Sequence, residues 1–198
     1  MAGRPREFDR EQALIAARDL FWRHGYEGTS LADLVAALGI ASARIYKAFG
    51  SKEQLYREAI GHYEQYEGGF AARALQHPQI LSAVRQMLEQ AVVLYTDSEP
   101  PAGCMVVSAA GGLSEENQPL AQWLAQQRKD RTAEIVARLQ QAQAEGQLRA
   151  EAAAQPLGEY YATVLHGLSV QARDGASRER LNAAVTLAML PLKSLLAD

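Results

Sequence analysis

The 198-residue chain holds a single cysteine, Cys104. That excludes an intrachain disulfide framework and any zinc site built from several thiolates. Its four histidines, His24, His62, His77 and His166, are scattered. No two stand at i, i+4 with a carboxylate base between them, so no metal site and no cofactor is expected. No apolar run approaches the roughly 18 residues that span a membrane, so no membrane partner is expected. The opening MAGRPREFDREQ lacks the apolar centre of a signal peptide. A reducing, cytoplasmic compartment fits. GxSxG, P-loop, GxGxxG and HExxH patterns are all missing, no catalytic residue emerges, and no enzyme is expected. Strand-like alternation and fixed-period repeats are missing too.

What is present is helix, in an all-α pattern. Hydrophobic residues make up 48% of the chain and charged residues 22%, enough for a sizeable core without staples. The net charge of −3 is unevenly spread. Residues 1–52 carry 8 Lys/Arg against 6 Asp/Glu, whereas residues 53–198 carry 12 against 17. A basic head on an acidic body suggests that the head alone meets a polyanion. The expected organisation is therefore a head over 1–52 and a larger helical body over 53–198.

Helix signals follow one another from Asp9, an N-cap with Gln12 three residues on. Ala13, Leu14, Ala17, Leu20 and Phe21 form the first apolar stripe, and Gly25 stops it. Thr29 or Ser30 caps a second short helix with Leu31, Leu34, Val35 and Leu38, ended by Gly39. A third runs from Ser42 to Phe49. Ser51 with Gln54 opens a fourth, which reaches about Tyr66. Beyond it, periodicity predicts a helix after Pro78 through Tyr95, a loop over 98–103 and a short buried helix within 104–112. Longer helices follow over 118–145, 152–174 and 177–197.

Residues 29–53, TSLADLVAALGIASARIYKAFGSKE, carry the most specific signal. Two short helices joined by a turn at Gly39 make a helix-turn-helix. Leu34, Val35, Leu38 and Ile45 would lock the pair and turn the outer face of the second helix toward a major groove. That face offers Ser42, Ala43, Arg44 and Lys47. Arg44 is the residue there that can grip a guanine edge with two parallel hydrogen bonds. Ser42 and Ala43 are small enough for close approach, and Lys47 and Lys52 suit phosphates.

With Gly25, Thr29, Leu34, Gly39, Ile40, Tyr46 and Phe49 to Glu53, this segment resembles the DNA-binding domain of the TetR family of bacterial transcriptional regulators. The run IYKAFGSKEQLY is especially close to the end of the family's recognition helix. The resemblance covers about 55 residues. It implies a phosphate contact for Tyr46 and another for Lys52, with Thr29 and Ser30 reaching the DNA backbone at a helix N-terminus. The family often has Lys, Gly and Thr where this chain has Ser42, Ala43 and Arg44, which leaves the operator sequence open. GRPR at 3–6 resembles the core of an AT-hook, which would lay Arg4 and Arg6 in a minor groove. A weakly electrostatic basic arm is the competing reading.

The body offers an aromatic set: Tyr63, Tyr66 and Phe70, then Tyr95, Trp123 and Tyr161. Core packing accounts for it, and so does the wall of an apolar ligand cavity. The resemblance favours the cavity, with Leu88, Val92, Cys104 and His166 as further lining. RKDR at 128–131 reads as a solvated helix face. Tyr160, Val164, Leu168, Leu187 and Leu190 exceed what one surface helix needs and predict a two-fold homodimer. The expected protein is a ligand-responsive repressor. It would bind a pseudo-palindromic operator in double-stranded DNA as a homodimer and be released by a small-molecule inducer. The alternative is a DNA-binding regulator controlled by a partner protein or by oxidation of Cys104.

Overall fold

A computed structural model describes residues 9–97, 99, 101–109 and 111–197. The head is built from α1 (Arg10–His24), α2 (Leu31–Leu38) and α3 (Ser42–Phe49), with α4 (Lys52–Gln65) leading into the body. The body comprises α5 (Phe70–Leu75), α6 (Ile80–Tyr95), α7 (Met105–Ser108), α8 (Gln118–Ala144), α9 (Ala154–Arg173), α10 (Arg178–Ala188) and α11 (Leu190–Ser194). Among the described residues, the one β-type pairing is an isolated antiparallel bridge between Leu148 and Leu196.

The helix starts follow capping chemistry. The Asp9 carboxylate accepts from the Glu11 and Gln12 amides at 3.0 and 3.1 Å. Ser30 and Asp33 form a complete capping box at α2. Ser51 accepts from the Gln54 amide at 3.0 Å, half of the box expected there. These bonds satisfy amides that the first helical turn leaves without partners. Gly39 ends α2 in the left-handed region at φ 65°, where a side chain costs roughly 1–2 kcal/mol. That turn sets the angle between α2 and α3. Leu34, Ile45 and Phe49 are buried beneath it, together with Ala17 and Phe21 of α1 and Leu55 of α4.

In the body, α6 is the central rod: Met87, Leu88, Ala91 and Val92 are completely buried. Helices α5, α9 and α10 pack around it, and α8 pairs with α9 along its length. The α8–α9 pair approaches closely at Gly158, where an added Cβ would lie 2.9 Å from the Val136 Cα. Arg138 of α8 reaches back to the loop before α6, donating to the carbonyls of Leu75, His77 and Pro78 at 3.0, 3.0 and 2.8 Å.

Two elements differ from the sequence expectation. Helix α5 is absent from it, although Phe70, Ala71, Ala74 and Leu75 are buried. At six residues it is shorter than two turns, so no stripe develops. The expected final helix over 177–197 is two helices, broken at Met189. Pro191 has no N–H for the carbonyl four residues back, and its ring clashes with that turn. The segment 104–112 contains the expected short helix as the single turn of α7.

Gly158→Ala should lower stability by about 1–3 kcal/mol through overpacking. Thermal unfolding would show it as a fall in Tm of roughly 2–4 °C per kcal/mol in a chain of this size. An unchanged Tm would mean that the α8–α9 spacing has slack.

Candidate functional site

Ile45 and Phe49 pin α3 to the head and leave the opposite side in solvent. Ala43, Arg44, Tyr46 and Lys47 are exposed there, with Tyr46 at 44%, and Ser42 is half-buried at the helix start. A helix held by its inner face, with a small-residue entry and basic side chains outside, has the shape of a major-groove reader. Lys52 is half-buried, its Nζ 4.3 Å from the centre of the Tyr26 ring. Burial pushes its pKa down, opposed by the carboxylates of Glu27 and Asp33. Arg4 and Arg6 lie outside the described residues.

Thr29 corrects an expectation. It is completely buried, and its hydroxyl donates to the Gly25 carbonyl at 2.7 Å. Its side chain fastens the turn between α1 and α2 and is closed off from a DNA backbone. Ser30 is exposed, but its hydroxyl donates to Asp33 Oδ2 at 2.6 Å. The α2 N-terminus, where an incoming phosphate was expected, already carries the Asp33 carboxylate. Hydrogen bonds from Ser30 hold that group below the usual carboxylate range.

The head is tied to the body by bonds distant in sequence. The Trp22 indole N–H donates to the Gly103 carbonyl at 3.1 Å, and Arg173 of α9 donates to the Trp22 carbonyl at 3.3 Å. One residue on, the Cys104 amide donates to the Ser169 hydroxyl at 2.8 Å. Glu27 of the α1–α2 turn accepts from the Ser114 amide and hydroxyl and from Asn117, at 2.7–2.9 Å. Buried Arg18 joins α1 to the end of α4 through Glu67 at 2.6 Å and His62 Nδ1 at 3.1 Å.

The body cavity lies among α4, α6, α7, α8 and α9. Tyr95, Cys104 and His166 line it, as expected, together with Leu165 and Val106. Its volume is about 10 Å³, at the lower limit for a single water. Several expected lining residues lie elsewhere. Tyr66 is 51% exposed and tilts against the His62 ring, because it caps the C-terminal end of α4. Trp123 lies outside the cavity lining, half-buried against the core with the Arg57 guanidinium over its ring. The Tyr161 hydroxyl donates to the Ala188 carbonyl at 3.1 Å, bonding α9 to α10. Leu88 and Val92 are core of α6 away from the cavity, and Phe70 packs edge-on against Tyr95. Tyr63 stands behind the cavity, buried edge-on against Trp22.

Sequence reading missed the charged part of this wall. Arg128 and Arg131 of α8 line the cavity, with Glu64 of α4 paired to Arg131. Reading 128–131 as a solvated face is therefore wrong for the two arginines, although Lys129 and Asp130 are exposed. The available signal was spacing: Leu124, Arg128, Arg131 and Ile135 follow one another at +4, +3 and +4, on the inward face. Burial, and then the charges of Arg128 and Arg131, push the His166 imidazole below its usual pKa, which favours its neutral form. Of the residues expected at a dimer interface, Tyr160, Leu187 and Leu190 are 39%, 66% and 54% exposed. Val164 and buried Leu168 line an open groove of about 530 Å³ between α9 and α10.

Two family models cover most of the chain. "Bacterial regulatory proteins, tetR family" matches residues 13–59, and "Tetracyclin repressor-like, C-terminal domain" matches residues 81–188. The chain is 33% identical over 193 residues to the HTH-type transcriptional repressor ComR of Escherichia coli (strain K12), covering 96% of this chain and 92% of ComR. It is 29% identical to the HTH-type transcriptional repressor BdcR of the same strain, covering 99% and 95%. Among solved structures, a cysteine-substituted form of the TetR family regulator CifR, in complex with 26-bp double-strand operator DNA, superposes with a TM-score of 0.90. That pair shares 41% identity and covers 94% of this chain and 98% of CifR. The chain belongs to the TetR family of bacterial transcriptional regulators.

Proposed function

We propose that this chain is a homodimeric transcriptional repressor that binds a pseudo-palindromic operator and is released by a small molecule held in the body. The carrying observation is the exposed basic face of α3, held rigidly from behind by Ile45 and Phe49. The operator-bound state of CifR, a structure of nearly the same fold, supports a DNA-bound state for this one.

Arg44 reads a base and Lys47 meets a phosphate in this account. Arg44→Ala should weaken operator binding by ~1–3 kcal/mol and relax preference at one base pair of each half-site. Lys47→Ala should weaken binding to all sequences alike and reduce the salt slope by about one per site. Lys47 is the better phosphate probe, because Lys52 also supports Tyr26. Titrations against operator and scrambled duplexes over a range of salt separate the two roles. Uniform weakening by Arg44→Ala would make Arg44 a phosphate contact.

The α9–α10 groove, with Tyr160 and Leu187 exposed beside it, supports a two-fold interface in which each copy presents the same face. Leu187→Glu, at a position 66% exposed in one chain, should leave that chain folded and shift it to monomer. Sedimentation would read the mass and circular dichroism the fold. A dimer that persists would move the interface elsewhere.

Release by an inducer requires differential affinity between two states. A 100-fold loss of operator affinity needs about 2.7 kcal/mol of coupling. The path runs from the cavity wall at Cys104 to Gly103, and from the Gly103 carbonyl to Trp22 of α1. A compound that fills the cavity while leaving the 103–108 segment in place would have no effect on DNA binding.

A further inference from the structure

The cavity wall has an unbalanced charge. Arg131 is spoken for by Glu64, to which it is paired directly. Arg128 lies within the same wall, half-buried, and forms no ion pair with any described residue. Its guanidinium donates to the Val106 carbonyl of α7 at 3.2 Å. Burial lowers the Arg128 pKa, and the groups acting against that are the Cys104 thiol and the Tyr56 hydroxyl, with no carboxylate among them. His166 is held toward its neutral form. Two guanidiniums and one carboxylate leave the lining with one positive charge. A cation partly withdrawn from solvent and left without a counter-charge favours any anion that reaches it.

We propose that this cavity is an effector site for a small organic monoanion, a carboxylate, which takes Arg128 from the Val106 carbonyl. The proposal rests on the reading of small-molecule control given above. A carboxylate accepts two parallel hydrogen bonds from a guanidinium, and such charge-assisted bonds are roughly twice as strong as one to a neutral carbonyl. The exchange removes the tie between α8 and the Val106 carbonyl, one of the contacts that seat the one-turn α7. At about 10 Å³ the cavity holds no organic compound until that turn moves. Tyr95 and His166 offer further polar contacts around the bound group, and Leu165 and Val107 an apolar wall for its short tail. Displacement of α7 is carried to the head because Gly103, two residues before it, holds Trp22.

The test uses the full chain near neutral pH at constant ionic strength. The probes are acetate, butyrate, hexanoate, octanoate and benzoate, each against its primary amide. At a hundredfold excess over its dissociation constant, a bound carboxylate should raise Tm by about 5 °C or more. Arg128→Gln should abolish the shift, and Arg128→Lys should retain part of it. Lys129→Gln, which removes an exposed neighbouring charge, should retain all of it. The variants' own unfolding transitions show that each is folded. Equal shifts from the amides, a shift that survives Arg128→Gln, or no carboxylate shift in the unaltered protein would each overturn the assignment. Operator titration separates the two levels. A carboxylate that binds through Arg128 yet leaves operator affinity unchanged upholds the site and removes small-molecule control. Release by amides alone keeps small-molecule control and overturns the anion. Release by peroxide that Cys104→Ser abolishes, with no carboxylate shift, assigns the charge to the thiol instead and overturns it as well.

Discussion

The hydrogen bond from the Trp22 indole to the Gly103 carbonyl is the constraint on which the rest of the molecule turns. It joins α1, which packs on α2 and α4, to the loop that leads into α7 at the body cavity. Both partners are fixed. Trp22 is buried edge-on against Tyr63, with ring centres 4.8 Å apart. Gly103 has φ 79°, and a Cβ there would lie 2.8 Å from the Ser169 carbonyl oxygen. A larger residue would push α9 and the loop apart and lose the joint. Arg173, bonded to the Trp22 carbonyl, ties α9 into the same junction. Head position, cavity closure and the helix beside the outer groove are thus mechanically linked.

That linkage explains why a cavity so small is consistent with control by a ligand. In the structure Arg128 donates to the Val106 carbonyl and α7 is seated among α4, α8 and α9. Control through population shift needs two arrangements of similar free energy and a ligand that prefers one. In the cavity wall Arg128, half-buried, has only a neutral acceptor among the described residues, the Val106 carbonyl.

The head was legible in the sequence because its determinants are local. Asp9, Ser30 and Ser51 cap helices within three residues, Gly39 sets a turn with its own φ, and Leu34, Ile45 and Phe49 follow helical spacing. The body was legible as helices but not as a site. Trp22 and Gly103 are 81 positions apart, and nothing in either residue's surroundings in sequence announces the other. Arg128 and Arg131 were obscured by their charge, although they share the stripe of Leu124 and Ile135. Aromatic residues misled in the other direction: Tyr66 ends a helix in solvent, and Tyr161 spends its hydroxyl on α10. The family resemblance implies a contact between Thr29 and the DNA backbone. Its neighbour Ser30 is the cap, and Thr29 folds inward to Gly25.

The central claim is that α3 reads sequence and that two copies do so together. Selection of bound duplexes from random double-stranded DNA, at fixed near-physiological salt, tests it most directly. The account predicts enrichment of a pseudo-palindrome whose half-sites lie about one or more helical turns apart. Binding that is salt-sensitive but enriches no sequence would contradict it, because the exposed face of α3 would then be meeting phosphates alone.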